Sequence, residues 1–200
     1  PSLPSGAVNP IQTSAPAPKG PWGFWATLGW GLLVTIAYVV VQGISAAVYA
    51  MLGAVVGSNR LPAARDLATD GLAMSIAIIL SAPVAIGLPL ILASVRRGIT
   101  LGDYLGLRWP RGRIAVGWAL ALLALAILSD TLTVRLDRPI VPDVMVEIYR
   151  RAGFVPLFWL AIVLVAPLSE EILFRGFLFT GVRQSRLGGT GAIIITSVAW

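Results

Sequence analysis

Four stretches of this chain, at about 24–56, 72–95, 114–134 and 154–182, are apolar over the roughly 20 residues that a helix needs to cross a bilayer. Hydrocarbon offers no water to backbone N–H and C=O groups, so each stretch must satisfy its own as a helix. The expected fold is therefore all-α, a polytopic transmembrane helical bundle of four spans plus the start of a fifth near Gly188. Composition agrees: 57% of residues are hydrophobic, 12% are charged and the mean hydropathy is +0.86, outside the range of water-soluble domains. The chain has no cysteine and no histidine, which removes disulfides, thiolate metal sites and the commonest general base.

The first span, about 24–56, is longer than the roughly 30 Å core and must tilt, kink near Gln42-Gly43 or project. Its later half carries a small-residue stripe, Ala46, Ala50, Gly53 and Gly57, suited to close helix packing. Ahead of it, residues 1–21 are rich in Pro, Ser, Ala and Gly and read as a flexible leader, followed by Trp22, Trp25 and Trp30 as an interfacial anchor. The second span contains Pro83 and Pro89, residues that membrane helices tolerate, with a kink expected there. The run from 188 to Trp200 is too short to span, and the chain opens on Pro1, so 22–200 is read as a transmembrane domain truncated at its C-terminal end.

Basic residues suggest an orientation. Arg96, Arg97, Arg108, Arg111 and Arg113 follow the second span and Arg183 and Arg186 the fourth; with Lys19 they put eight Lys and Arg on the side read as cytoplasmic, against six on the other. In a chain this apolar they signal topology and not nucleic-acid binding. Within the first of these loops, Thr100-Leu101-Gly102-Asp103 has capping-box spacing, and Leu101, Tyr104, Leu105 and Trp109 are expected to lay a short helix on the membrane surface.

The fourth span is the exception. It reads Ser169-Glu170-Glu171-Ile172-Leu173-Phe174-Arg175 at its centre. Three charges at mid-membrane cost roughly 9 kcal/mol, and the roughly 17 large apolar residues of the span return about 0.5 kcal/mol each. A balance near zero requires that the charges meet a polar cavity or one another. Glu171 and Arg175, four apart with the acid first, share a face and can neutralise each other. Glu170 is turned about 100° away and has no local partner. An unpaired carboxylate in a desolvated cavity takes and returns a proton near neutral pH, so Glu170 is the candidate general base, with Glu171 and Arg175 as its support. A purely structural reading competes: Pro167 and Ser169 resemble a helix start, with Ser169 as N-cap and both acids in the first turn. With residue 154 at the outer surface, Glu170 lies about 24 Å further along, in the cytoplasmic half.

Glu170-Glu171-x-x-x-Arg175 in a membrane helix, followed by a short basic loop and a new apolar run, resembles the first motif of the CPBP intramembrane proteases, which include type II CAAX prenyl endopeptidases and the bacterial Abi proteins linked to bacteriocin self-immunity. The resemblance is closest over 154–200, where Trp200 stands at the aromatic position of the next motif. It implies a helical bundle enclosing glutamate and histidines, with the first glutamate, matched by Glu170, activating water for attack on a peptide bond. It also implies histidines beyond Trp200, and either a divalent metal such as zinc or a metal-free glutamate mechanism. The expected function is an intramembrane endopeptidase acting on a membrane-associated or CAAX-like protein substrate in the bacterial inner membrane. Protein or peptide substrate and lipid are the expected partners, and no nucleic acid. The alternatives are a non-catalytic immunity or scaffold protein of the same fold and a proton-coupled transporter.

Overall fold

The computed structural model describes residues 20–58, 61–96, 99–106 and 110–200. Nearly all of the expected leader, residues 1–21, lies outside them, as do Lys19, Arg60, Arg97, Arg108 and Trp109. All regular structure among the described residues is helical. α1 is Phe24–Gly53, extended by a π-helical turn at Ala54–Ser58; α2 is Ala64–Ala68, α3 Gly71–Ser94, α4 Leu101–Tyr104, α5 Gly112–Arg135 and α6 Asp143–Arg150. α7, Val155–Arg183, is one continuous rod in which α-helical and π-helical turns alternate, and α8 is Gly188–Ala199. Among the described residues four helices are long and apolar enough to cross a membrane, at Phe24–Gly57, Gly71–Ser94, Gly112–Arg135 and Val155–Arg183. The protein is an integral, multi-pass helical membrane protein, with its spans where the apolar runs predict them.

α1 passes through Gln42 and Gly43 as unbroken α-helix. Of its small-residue stripe, Ala50 is buried and Ala46 half-buried, whereas Gly53 and Gly57 are exposed and meet no neighbour. α3 begins at Asp70, whose Oδ1 accepts the N–H groups of Leu72 (2.9 Å) and Ala73 (3.0 Å), satisfying orphan donors of the first turn. Its other oxygen takes the Tyr49 hydroxyl at 3.1 Å and so ties α1 to the same point. α3 continues through Pro83 and Pro89 without a break.

α1, α3 and α7 form the packed unit, and two clusters mark its ends. At one end Ile148, Ala152 and Phe158 are buried together against Met74 and Ile162. At the other, Val34, Ala93, Tyr104, Leu105, Leu173, Phe177 and Leu178 make the larger core. Lipid supplies little hydrophobic drive between helices, so close approach depends on small residues. Gly31 receives Leu178 of α7, and Gly181 of α7 receives Thr27 of α1; a Cβ at either glycine would overlap that side chain.

The Thr100 capping box forms as expected, Thr100 accepting the Asp103 N–H at 3.1 Å and donating to the Asp103 carboxylate at 2.8 Å. The helix it starts does not lie on a membrane surface through all its apolar residues. Tyr104 (1% exposed) and Leu105 (5%) are driven into the core, and Tyr104 stacks on Phe177 with ring centroids 5.9 Å apart. The tryptophans also divide. Trp25 is exposed, while the Trp22 indole N–H donates to the Leu92 carbonyl (2.8 Å) and its ring carries the Arg96 guanidinium at 4.7 Å.

Candidate active site

α7 carries all three charges, and its winding explains how. Pro167 lacks an N–H and crowds the carbonyl four residues back, which in a regular helix forces a break or kink. Here the preceding turn, Leu160–Val165, is π-helical and absorbs the misfit. The helix then continues through Ser169, whose backbone neighbours are helical and whose hydroxyl donates back to the Val165 carbonyl at 2.8 Å. The helix start read at Pro167 and Ser169 is therefore not formed: Ser169 is a buried interior residue, and Glu170 and Glu171 lie in mid-rod. A second π-helical segment, Glu171–Leu178, begins at the acids.

The two glutamates are held differently. Glu171 Oε1 pairs with Arg175 Nη1 at 2.8 Å, as the spacing predicts. Glu170 makes no ion pair among the described residues, yet it is not without a partner: its Oε2 accepts the indole N–H of Trp200 at 2.9 Å. Sequence spacing along α7 could not supply that partner, because it comes from α8. The chain reverses through Gly188, whose φ of +60° is costly for any residue with a Cβ, and α8 returns along α7, with Ala192 fully buried. At about 1.5 Å per residue the two arms of this hairpin are nearly equal, so Trp200 arrives level with Glu170.

Beside the acids is a cavity of about 940 Å³ between α4, α7 and α8. Glu171, Arg175, Phe179 and Arg183, spaced by four along α7, form one wall; Asp103 and Leu105 of the α4 side and Thr196 and Ser197 of α8 form others. Glu170 is not among its lining residues: it is exposed on the adjoining face, where the largely exposed Trp200 meets it, and not enclosed in a desolvated cavity as the sequence reading expects. The structure thus brings Glu171 and Arg175 together on the hollow and places Glu170 next to them, on the adjoining face. Sequence reasoning missed Asp103, Thr180 and Arg183 as lining residues; the four-residue spacing from Glu171 onward was the signal for Arg183. Thr180 also donates to the Tyr104 carbonyl at 2.7 Å, fixing α4 as the rim of the hollow.

No group of three or more His, Cys, Asp or Glu converges among the described residues. These residues alone do not make a zinc site, which needs three or four protein ligands.

No curated protein and no solved structure matches the chain. A family model described as type II CAAX prenyl endopeptidase Rce1-like matches residues 152–200. That segment holds α7, the hairpin and α8, and the resemblance read from Glu170-Glu171-x-x-x-Arg175 is borne out: the part of the chain that carries the acids is similar to the type II CAAX prenyl endopeptidases.

Proposed function

We propose that the protein is an intramembrane endopeptidase in which Glu170 activates water. Attack of the water oxygen on a peptide carbonyl carbon releases a proton, which Glu170 accepts and returns to the leaving amine as the C–N bond breaks. Glu171 and Arg175 support it by neutralising each other, so that Glu170 is the acid left to handle the proton. The observation that carries this reading is the unequal treatment of two adjacent carboxylates, one closed in a 2.8 Å ion pair and the other held by a single neutral N–H. The match at 152–200 supplies the reaction class. A CAAX-like, membrane-associated substrate fits that family, and stabilisation of the oxyanion is assigned to residues following Trp200, as the family pattern implies. A divalent metal such as zinc, with ligands there, belongs to the same proposal.

The basic end of the bundle, with Arg96, Arg111, Arg113, Arg183 and Arg186, supports a cytoplasmic placement of the cavity mouth in a bacterial inner membrane. Substrate then arrives from that side.

The test is Glu170→Gln in the natural full-length protein, reconstituted in liposomes and assayed with a prenylated CAAX peptide and an unprenylated control. Expected is normal insertion with a loss of peptidase activity of at least about a hundredfold. Full activity of the variant would remove Glu170 from the mechanism.

A further inference from the structure

The proposed reaction asks Glu170 to present one oxygen to water in a fixed direction, and nothing on α7 orients it. Among the described residues the hydrogen-bond partner of that carboxylate is the Trp200 indole, at 2.9 Å on Oε2, an exposed contact. Indole N–H is a donor with no lone pair available to accept, and it does not ionise near neutral pH. It can therefore hold a carboxylate oxygen without competing for the proton that Glu170 is to move. A bond from N–H to an anionic oxygen is charge-assisted and directional, and it occupies Oε2 while leaving Oε1 open. The hairpin sets up this contact: Gly188 makes the reversal, buried Ala192 seats α8 on α7, and the arm length brings the exposed ring level with Glu170.

We infer that Trp200 is a positioning residue for Glu170, its indole N–H fixing Oε2 so that Oε1 alone faces the reacting water. This rests on the endopeptidase reading. It assigns the tryptophan a task that a phenylalanine ring cannot perform, since phenylalanine fills similar space without the donor.

The experiment replaces Trp200 in the natural full-length protein by 3-benzothienylalanine, which keeps the ring shape and exchanges N–H for sulfur, with Trp200→Phe alongside. Expected in liposomes is a fall in kcat of about tenfold, the effect of one lost charge-assisted hydrogen bond, with KM within about twofold and unchanged membrane insertion. Restoring tryptophan by the same incorporation route restores kcat. An unchanged kcat overturns the proposal, and so does a parallel loss of insertion and of both kinetic constants, which marks a merely structural ring. A second readout is independent of turnover: modification of Glu170 by a hydrophobic carbodiimide, followed by mass spectrometry. The analogue should speed labelling of Glu170 and leave Glu171 unaffected; equal labelling of Glu170 overturns the contact. Should the unsubstituted protein cleave no peptide while the labelling difference persists, the endopeptidase reading fails and the Trp200–Glu170 contact stands.

Discussion

α5 and α7 look alike as compositions and behave differently as parts of the molecule. Both are long enough to span and have nearly the same mean hydropathy. None of the membrane window of α5 is buried by the rest of the protein, and Gly117 on it receives nothing. α7 lies against α1, α3 and α8 and takes Thr27 into Gly181 and Leu105 against Gly176. Apolarity places a helix in the membrane, and both have enough of it. Which neighbours a helix keeps depends on notches for their side chains and polar groups that need partners, and there α7 is rich and α5 poor.

That contrast can be broken at the glycines. Gly181→Leu pushes a branched side chain into the space of fully buried Thr27 and should cost about 3 kcal/mol or more, the upper range for overpacking. Gly117→Leu on α5 should stay within about 0.5 kcal/mol. Unfolding of the reconstituted protein by titration with a denaturing detergent measures both, and equal effects would erase the distinction between the helices. A smaller effect is expected from Arg175→Ala, which leaves Glu171 without its counter-charge and should lower folded yield by the equivalent of about 2.5 kcal/mol, the insertion cost of one unpaired acid. Arg135→Ala, at the end of α5 with no ion pair among the described residues, should leave yield unchanged, and the comparison is read by membrane-fraction quantification. The smallest effect sharpens the account of the α4 rim. The Tyr104 hydroxyl is buried with no partner at full hydrogen-bond geometry among the described residues, and burial raises its pKa above that of a free phenol, only partly offset by a weak backbone hydrogen bond from Trp22 and the Arg96 charge. Tyr104→Phe should therefore be neutral or stabilising by up to about 1 kcal/mol in the same titration, since it removes an unsatisfied group and keeps the stack on Phe177. Marked destabilisation would show that the hydroxyl has a partner.

The spans were legible because each is a local property of about 20 consecutive residues, and the Glu171–Arg175 pair because both partners lie on one helix turn. Thr100 behaves as a cap for the same local reason, whereas the cap at Asp70 is a finding of the structure. Ser169 carried an equally good cap signature and is no cap, because a π-helical turn before Pro167 lets the rod continue. The burial of Tyr104 depends on Phe177, more than 70 positions away in sequence, and no spacing rule reaches that far. Glu170 shows the limit most clearly. Its lack of a partner on its own helix was readable, whereas its bond to Trp200 follows only once the length of the hairpin is known.

Arg96 grips the carbonyls of Gly20 and Pro21, at 2.8 and 3.2 Å, while lying over the Trp22 ring. A pull on the polypeptide ahead of Gly20 thus meets the C-terminal end of α3 before it can draw on α1. The clasp works as strain relief, sparing the Gly31 and Gly181 seams from any tug delivered through the segment upstream.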